Sequence, residues 1–210
     1  MFVKICGVTT VEDALFAVAM GADAIGMVMA PSRRRVDADT ARRIVRELPP
    51  GALAIAVVQD ERADVLRDLV AHTGITGLQL HGHETAAEAT VLRRHVELLL
   101  AAFRLDDPRL ERIGDYPVDA ALIDSSTPGS GTAVDWHRAA RLDLPVPLVL
   151  AGGLTPDNVA EAIEKVRPWG VDVASGVEAE PGRKDPAKVR HFVARATAAL
   201  AEFPPPDRPA

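Results

Sequence analysis

The 210-residue chain carries 24 lysines and arginines against 30 aspartates and glutamates, a net charge of −6, with 48% hydrophobic but only 4% aromatic residues. An acidic balance whose one basic run is Arg33-Arg34-Arg35 argues against nucleic-acid or polyanion binding. A single cysteine excludes an internal disulfide and a multi-cysteine metal site and points to a reducing, cytoplasmic setting, while no apolar run approaches the roughly 20 residues of a membrane span.

Met1-Phe2-Val3-Lys4 lacks the apolar run of a signal peptide and reads as the approach to a first strand over Val3–Cys6. Thr9-Thr10-Val11-Glu12 has capping-box spacing and opens a helix with Val11, Leu15 and Val18 on one face. Strand Ala24–Met29, helix Asp39–Leu48, strand Leu53–Val58 and helix Arg62–His72 follow. Then come strand Gly77–Leu80, helix Thr85–Arg94, strand Glu97–Ala102 and a short, weakly patterned helix near Pro108–Ile113. Strand Ala120–Asp124 leads through the polar loop Ser125-Ser126-Thr127-Pro128-Gly129-Ser130-Gly131 to a second short helix at Asp135–Arg141. The last predicted units are strand Pro147–Ala151, helix Pro156–Val166, strand Val171–Ala174 and helix Pro186–Ala199. Thr155-Pro156 and Asp185-Pro186 each read as an N-cap with proline at the first helical position. The Pro-rich stretch 201–210 cannot continue a helix and is expected to be a frayed tail outside a catalytic domain spanning 1–200.

Eight strand–helix alternations without a break in composition predict an α/β fold, a single (β/α)8 TIM barrel of parallel strands. An open doubly wound sheet would place a dinucleotide glycine fingerprint after the first strand, whereas Gly7 is followed by Val8-Thr9-Thr10.

In such barrels chemistry sits where strands end. Side chains alternate along a strand, so Lys4 and Cys6 share the inward face and Val3 and Ile5 the outward one. A lone cysteine is ordinarily an inert core residue, but Cys6 ends a strand beside a cation that favours its thiolate. Asp124, inward with Ala120 and Leu122, is the candidate acid to match it, and the pair forms the predicted catalytic couple. Asp172 points inward on the last strand, where it either pairs with Lys4 or meets substrate. His81, just past the fourth strand, either shapes the substrate pocket or supports it. The remaining histidines show no metal-ligand spacing, so neither metal nor cofactor is expected. Gly152-Gly153 after the seventh strand and Ser175-Gly176 after the eighth are candidate phosphate loops, where backbone N–H groups approach an anion without a side-chain clash. One guanidinium of Arg33, Arg34 and Arg35 is a candidate clamp for a substrate carboxylate.

These motifs resemble those of phosphoribosylanthranilate isomerase, the Amadori-rearranging enzyme family of tryptophan biosynthesis, from Val3 to about Ala199. The matching pieces are Val3-Lys4-Ile5-Cys6-Gly7-Val8-Thr9, Gln79-Leu80-His81-Gly82 with Glu84, Leu150-Ala151-Gly152-Gly153-Leu154, and Val171-Asp172-Val173-Ala174-Ser175-Gly176-Val177-Glu178 through Lys184-Asp185. The resemblance implies that Asp124 protonates the ribose ring oxygen and that the Cys6 thiolate takes the proton from C2. Counted from Pro31, it implies that Arg35 binds the anthranilate carboxylate. It also implies a phosphorylated small-molecule substrate and a monomer or homodimer. Two loops depart from the family pattern: Ser32-Arg33-Arg34 replaces a Lys-Ser-containing stretch, and Gly129-Ser130-Gly131-Thr132-Ala133-Val134 lacks a lysine and an aromatic. The related isomerases of histidine biosynthesis use two aspartates and show half-barrel repetition; Cys6 and the absence of a repeat argue against them.

Overall fold

A computed structural model describes residues 1–125 and 134–206. Eight parallel strands close on themselves in sequence order. They are β1 (Phe2–Cys6), β2 (Ala24–Val28), β3 (Leu53–Val58), β4 (Gly77–Leu80), β5 (Leu98–Arg104), β6 (Ala120–Asp124), β7 (Leu148–Leu150) and β8 (Gly170–Val173). Helices α1 (Val11–Ala19), α2 (Ala38–Glu47), α3 (Ala63–Thr73), α4 (Ala86–Leu92), α5 (Trp136–Ala139), α6 (Val159–Val166) and α7 (Pro186–Glu202) alternate with the strands, and a 3-10 helix, Pro108–Asp115, stands between β5 and β6. A two-stranded hairpin, β9 (Glu178–Glu180) with β10 (Arg183–Lys184), interrupts the path from β8 to α7.

Strand alternation sorts the core into two layers. Phe2, Ala24, Ile55, Leu100, Ala120, Leu122 and Val149 fill the barrel interior. Val3, Ile5, Ile25, Met27, Leu78, Leu99 and Ile123 face outward into the shell packed by the helices. Burial on both faces is why these strands read as continuous apolar runs rather than as alternating ones.

Several boundaries differ from the sequence expectations for local reasons. The cap of α1 is Thr10, which accepts from Asp13 N at 3.1 Å, while Thr9 donates its hydroxyl to Gly182 O at 2.5 Å. The capping box expected at Thr9–Glu12 occurs instead at Thr85–Glu88. Helix α6 begins at Val159, three residues past Pro156, because the preceding turn closes on itself. There Asn158 accepts from Thr155 N at 2.8 Å and donates to Gly153 O at 3.0 Å. The cap at Asp185 holds as read, accepting from Ala187 N and Lys188 N ahead of Pro186. β5 runs on to Arg104 because it stays paired with β6 as far as Arg104↔Asp124. Helix α7 continues through Glu202, past the expected end at Ala199 and into the stretch assigned to the tail. Residues 207–210 of that tail, and most of the polar loop after β6, lie outside the described residues. No helix among the described residues is long and apolar enough to cross a membrane.

Candidate active site

Two cavities open at the ends of the barrel. The larger, about 630 Å³, lies at the N-terminal ends of the strands among Phe2, Leu53, Leu98 and Trp169. Its one acidic side chain, Asp23, is engaged in accepting from Val3 N at 2.8 Å. The other, about 380 Å³, lies at the C-terminal ends, where Cys6, Arg34, Gln79, His81, Asp124 and Asp172 converge. Convergent titratable groups mark the second as the site, in spite of its smaller volume.

Its floor is an ion pair. Lys4 and Asp172 are register partners on β1 and β8, and Lys4 Nζ donates to Asp172 Oδ1 at 3.0 Å with the lysine fully buried. Cys6 stands one inward position above Lys4. A Cβ placed on Gly26, the register partner of Cys6, would lie 2.9 Å from both Cys6 Sγ and Lys4 Nζ, so the two groups flank one point. The cation therefore does favour the thiolate, as the sequence implied. Burial nevertheless outweighs it, with Asp172 adding to the same effect, and the Cys6 thiol is pushed above its ordinary value. For Lys4, burial acts downward, but Asp172 and then Cys6 more than reverse it, so the ammonium stays charged.

Asp124 ends β6 at the rim. Burial raises its pKa, opposed by the charge of His81 and by the hydrogen bond its Oδ1 accepts from Ser125 N at 2.7 Å. Its Oδ2 is 3.6 Å from His81 Nε2, in Coulombic reach but longer than a hydrogen bond. A carboxyl biased toward its protonated form is what a general acid requires. Beside it, the loops after β7 and β8 form a recess lined by Gly152, Gly153, Asp172 and Ser175. Gly152 has φ +75°, and a Cβ there would come 2.7 Å from Ser125 N and 3.0 Å from Asp124 Oδ1, so only glycine keeps this wall open. Gly176 lies so close to Leu154 O that a Cβ would collide with it, which is how the two loops come together. Among the described residues, the N–H groups of Gly153, Ser175 and Gly176 meet no acceptor.

The arginines of the loop after β2 take different positions at the rim. Arg35 is exposed and does not line the cavity, whereas Arg34 does. The reason is alternation: a bridge pairs Arg35 with Val28, and Val36 N bonds Val28 O, so successive side chains in this segment point to opposite sides. Arg34 crosses directly over Gly7, at φ +72°, where a Cβ would lie 2.6 Å from Arg34 Cδ. Its guanidinium is gripped by Glu178, Nε to Oε1 and Nη2 to Oε2, both at 2.7 Å.

Three residues at or beside the site carried no role in the sequence reading: Gln79, Glu178 and Lys184. Gln79 shares the inward parity of His81 on β4, a signal present in the sequence. Its buried Oε1 has no partner among the described residues. Glu178 and Lys184 sit on a hairpin whose fold back toward β2 no periodicity announces.

A closed parallel barrel whose C-terminal mouth gathers a cysteine, an aspartate and a glycine-lined recess has the architecture of a TIM-barrel enzyme. Sequence comparison makes the assignment particular. Residues 3–195 match the family model for N-(5'-phosphoribosyl)anthranilate (PRA) isomerase, and the chain belongs to that family. It is 44% identical over 202 residues to the N-(5'-phosphoribosyl)anthranilate isomerase of Desulforudis audaxviator, covering 94% of this chain and 98% of the relative. The solved phosphoribosyl anthranilate isomerase of Thermus thermophilus superposes with a TM-score of 0.87 at 38% identity, covering 94% of this chain and 99% of that one. A further phosphoribosyl anthranilate isomerase structure, in complex with reduced 1-(o-carboxyphenylamino)-1-deoxyribulose 5-phosphate, matches with a TM-score of 0.81 at 37% identity over 94% of this chain and 99% of that one.

Proposed function

We propose that the chain converts N-(5'-phosphoribosyl)anthranilate to 1-(2-carboxyphenylamino)-1-deoxyribulose 5-phosphate by an Amadori rearrangement, a step of L-tryptophan biosynthesis in the cytoplasm. The observation that carries the reading is that the one cysteine of the chain and an aspartate biased toward protonation line the same cavity.

In this reading Asp124 gives its proton to the ribose ring oxygen as the C1–O bond breaks and the nitrogen lone pair forms the Schiff base. Cys6, as thiolate, takes the proton from C2, and the C–H electrons move toward the iminium nitrogen to give an enolamine. Proton gain at C1 and loss from the C2 hydroxyl then yield the ketone. Lys4, beside Cys6, stabilises the thiolate that starts the second stage. Asp172 has one oxygen held by Lys4, and the other serves a substrate hydroxyl, with His81 shaping the wall. The phosphate sits on the N–H groups around Gly152, Gly153, Ser175 and Gly176. Arg35, at the rim beside the cavity, takes the anthranilate carboxylate. Every group invoked comes from one chain, so a monomer or a homodimer serves equally.

NMR of the reaction run in D2O tests this directly. The wild type produces a C1 methylene carrying one deuterium; absence of conversion overturns the assignment. Cys6→Ser and Asp124→Asn each lower turnover at least about a hundredfold, the lower bound for a lost acid or base. Near-normal turnover in either variant removes the role given to that residue.

A further inference from the structure

Gln79 and His81 stand two residues apart on the inward side of β4 and its continuation, so both side chains enter the mouth cavity. Gln79 is only 2% exposed. Its Nε2 lies 3.5 Å from His81 Nδ1, and on the far side of the ring His81 Nε2 lies 3.6 Å from Asp124 Oδ2. The strand between, β5, turns only the small Ala102 inward at this level, which lets the ring reach across to β6. Amide, imidazole and carboxyl therefore form one row. Both spacings are long for hydrogen bonds, and contacts of this kind tighten once substrate fills a site.

A neutral imidazole has one proton for two ring nitrogens, so the partner of Nδ1 decides what Nε2 shows to Asp124. The Gln79 nitrogen can only donate. Nδ1 must then accept, and the ring proton is left on Nε2, facing Asp124 Oδ2. The opposite amide orientation would make Nδ1 the donor and leave Nε2 bare. Hydrogen-bond satisfaction does not separate the two, because either orientation leaves one end of the amide without a partner among the described residues, here Oε1. The chemistry of Asp124 does separate them. Its Oδ1 already accepts from Ser125 N at 2.7 Å, which leaves Oδ2 as the oxygen to be stabilised when the acid loses its proton. A bare Nε2 would set lone pair against lone pair there, whereas Nε2–H is a fixed donor aimed where charge develops.

We propose that Gln79 is the positioning residue of the acid: it holds the neutral His81 ring with its proton on Nε2, and that N–H stabilises the carboxylate Asp124 becomes on protonating the ribose ring oxygen. The inference deepens the isomerase reading above and rests on it. His81 gives up no proton, and the transfer remains from Asp124 to the ring oxygen as the C1–O bond breaks.

Two variants test it. Gln79→Met keeps the length of the side chain without polar atoms, and Gln79→Glu keeps its shape but can only accept. Nitrogen-15 NMR of protein labelled at histidine reads the tautomer of the neutral ring, and the His81 signal is identified among the six histidines by its loss in His81→Asn. The wild type is expected to carry the proton on Nε2. In Gln79→Met the two tautomers mix, and in Gln79→Glu a proton sits on Nδ1. Turnover of N-(5'-phosphoribosyl)anthranilate falls about tenfold in the methionine variant and at least as far in the glutamate one, with KM within about twofold, because the lost interaction is made in the transition state. A wild-type ring protonated on Nδ1 alone overturns the proposal. So does a Gln79→Glu protein with wild-type tautomer and turnover, since the amide would then present its oxygen to the ring. An unchanged tautomer in Gln79→Met makes Gln79 merely structural, and this variant decides alone should Gln79→Glu not fold. Wild-type protein inactive on the substrate would sink the isomerase reading and this one with it. An active wild type with the wrong tautomer would sink only the role of Gln79.

Discussion

The Lys4–Asp172 pair joins the first strand of the barrel to the last, 168 residues apart, and Lys4→Met should expose its worth. Lys4 is wholly buried and Asp172 nearly so, at 8% side-chain exposure. Among the described residues, Lys4 is the one hydrogen-bond partner of Asp172. Removing one member of such a pair strands the other charge in a low-dielectric interior, which costs about 3–5 kcal/mol. For a chain of this length each kcal/mol moves Tm by about 2–4 °C, so the midpoint should drop about 6–20 °C. The ammonium is fully charged at neutral pH. Burial lowers its pKa, but Asp172 and Cys6 raise it above the ordinary 10.5, so the stabilisation is present below that value and lost only as pH climbs past it. Urea unfolding at neutral pH, followed by far-UV circular dichroism, measures the loss. The companion K4M/D172L removes both charges for an apolar pair of similar bulk and should regain most of it. A Lys4→Met variant within about 1 kcal/mol of wild type would refute the claim that this pair closes the barrel, since breaking a buried pair should cost several-fold more.

Two further outcomes follow from the site. Arg35→Gln should lower kcat/KM for the anthranilate substrate about 10- to 100-fold, the usual scale for a lost charged hydrogen-bond pair. A loss of less than about twofold would remove Arg35 from the carboxylate. Iodoacetamide labelling reads the acidity of Cys6 without interference, because the chain has no second thiol. Its rate should reach half-maximum at a higher pH than that of a cysteine in a short unstructured peptide, since burial outweighs Lys4. A midpoint at or below the peptide's would show that the cation prevails in the free enzyme.

Short continuous apolar runs between capped 3.6-residue patterns carried the barrel, because each strand must be apolar on both faces and each helix on one. The alternation of side chains along a strand put Cys6, Asp124 and Asp172 on inward faces, since side-chain direction in a strand follows from parity alone. Helix starts were less legible. The turn at Thr155–Asn158 mimics a cap-proline start, and only its closed hydrogen bonds show that α6 begins later.

Non-local geometry was out of reach of the sequence. Which of three adjacent arginines enters the cavity depends on a bridge between Val28 and Arg35, and parity cannot be assigned to a loop until its partner is known. The grip of Glu178 on Arg34 spans 144 residues and exists because a hairpin after β8 folds over the loop after β2. The protonation of Cys6 likewise hangs on a contest between burial and neighbouring charges that only packing sets. Local pattern therefore determined the barrel and the inward parity of the catalytic pair, as properties of bonded neighbours. The entry of Arg34 into the cavity wall, its anchoring by Glu178 and the resting state of the cysteine were decided by tertiary contact, because each depends on the distance between groups far apart in the chain.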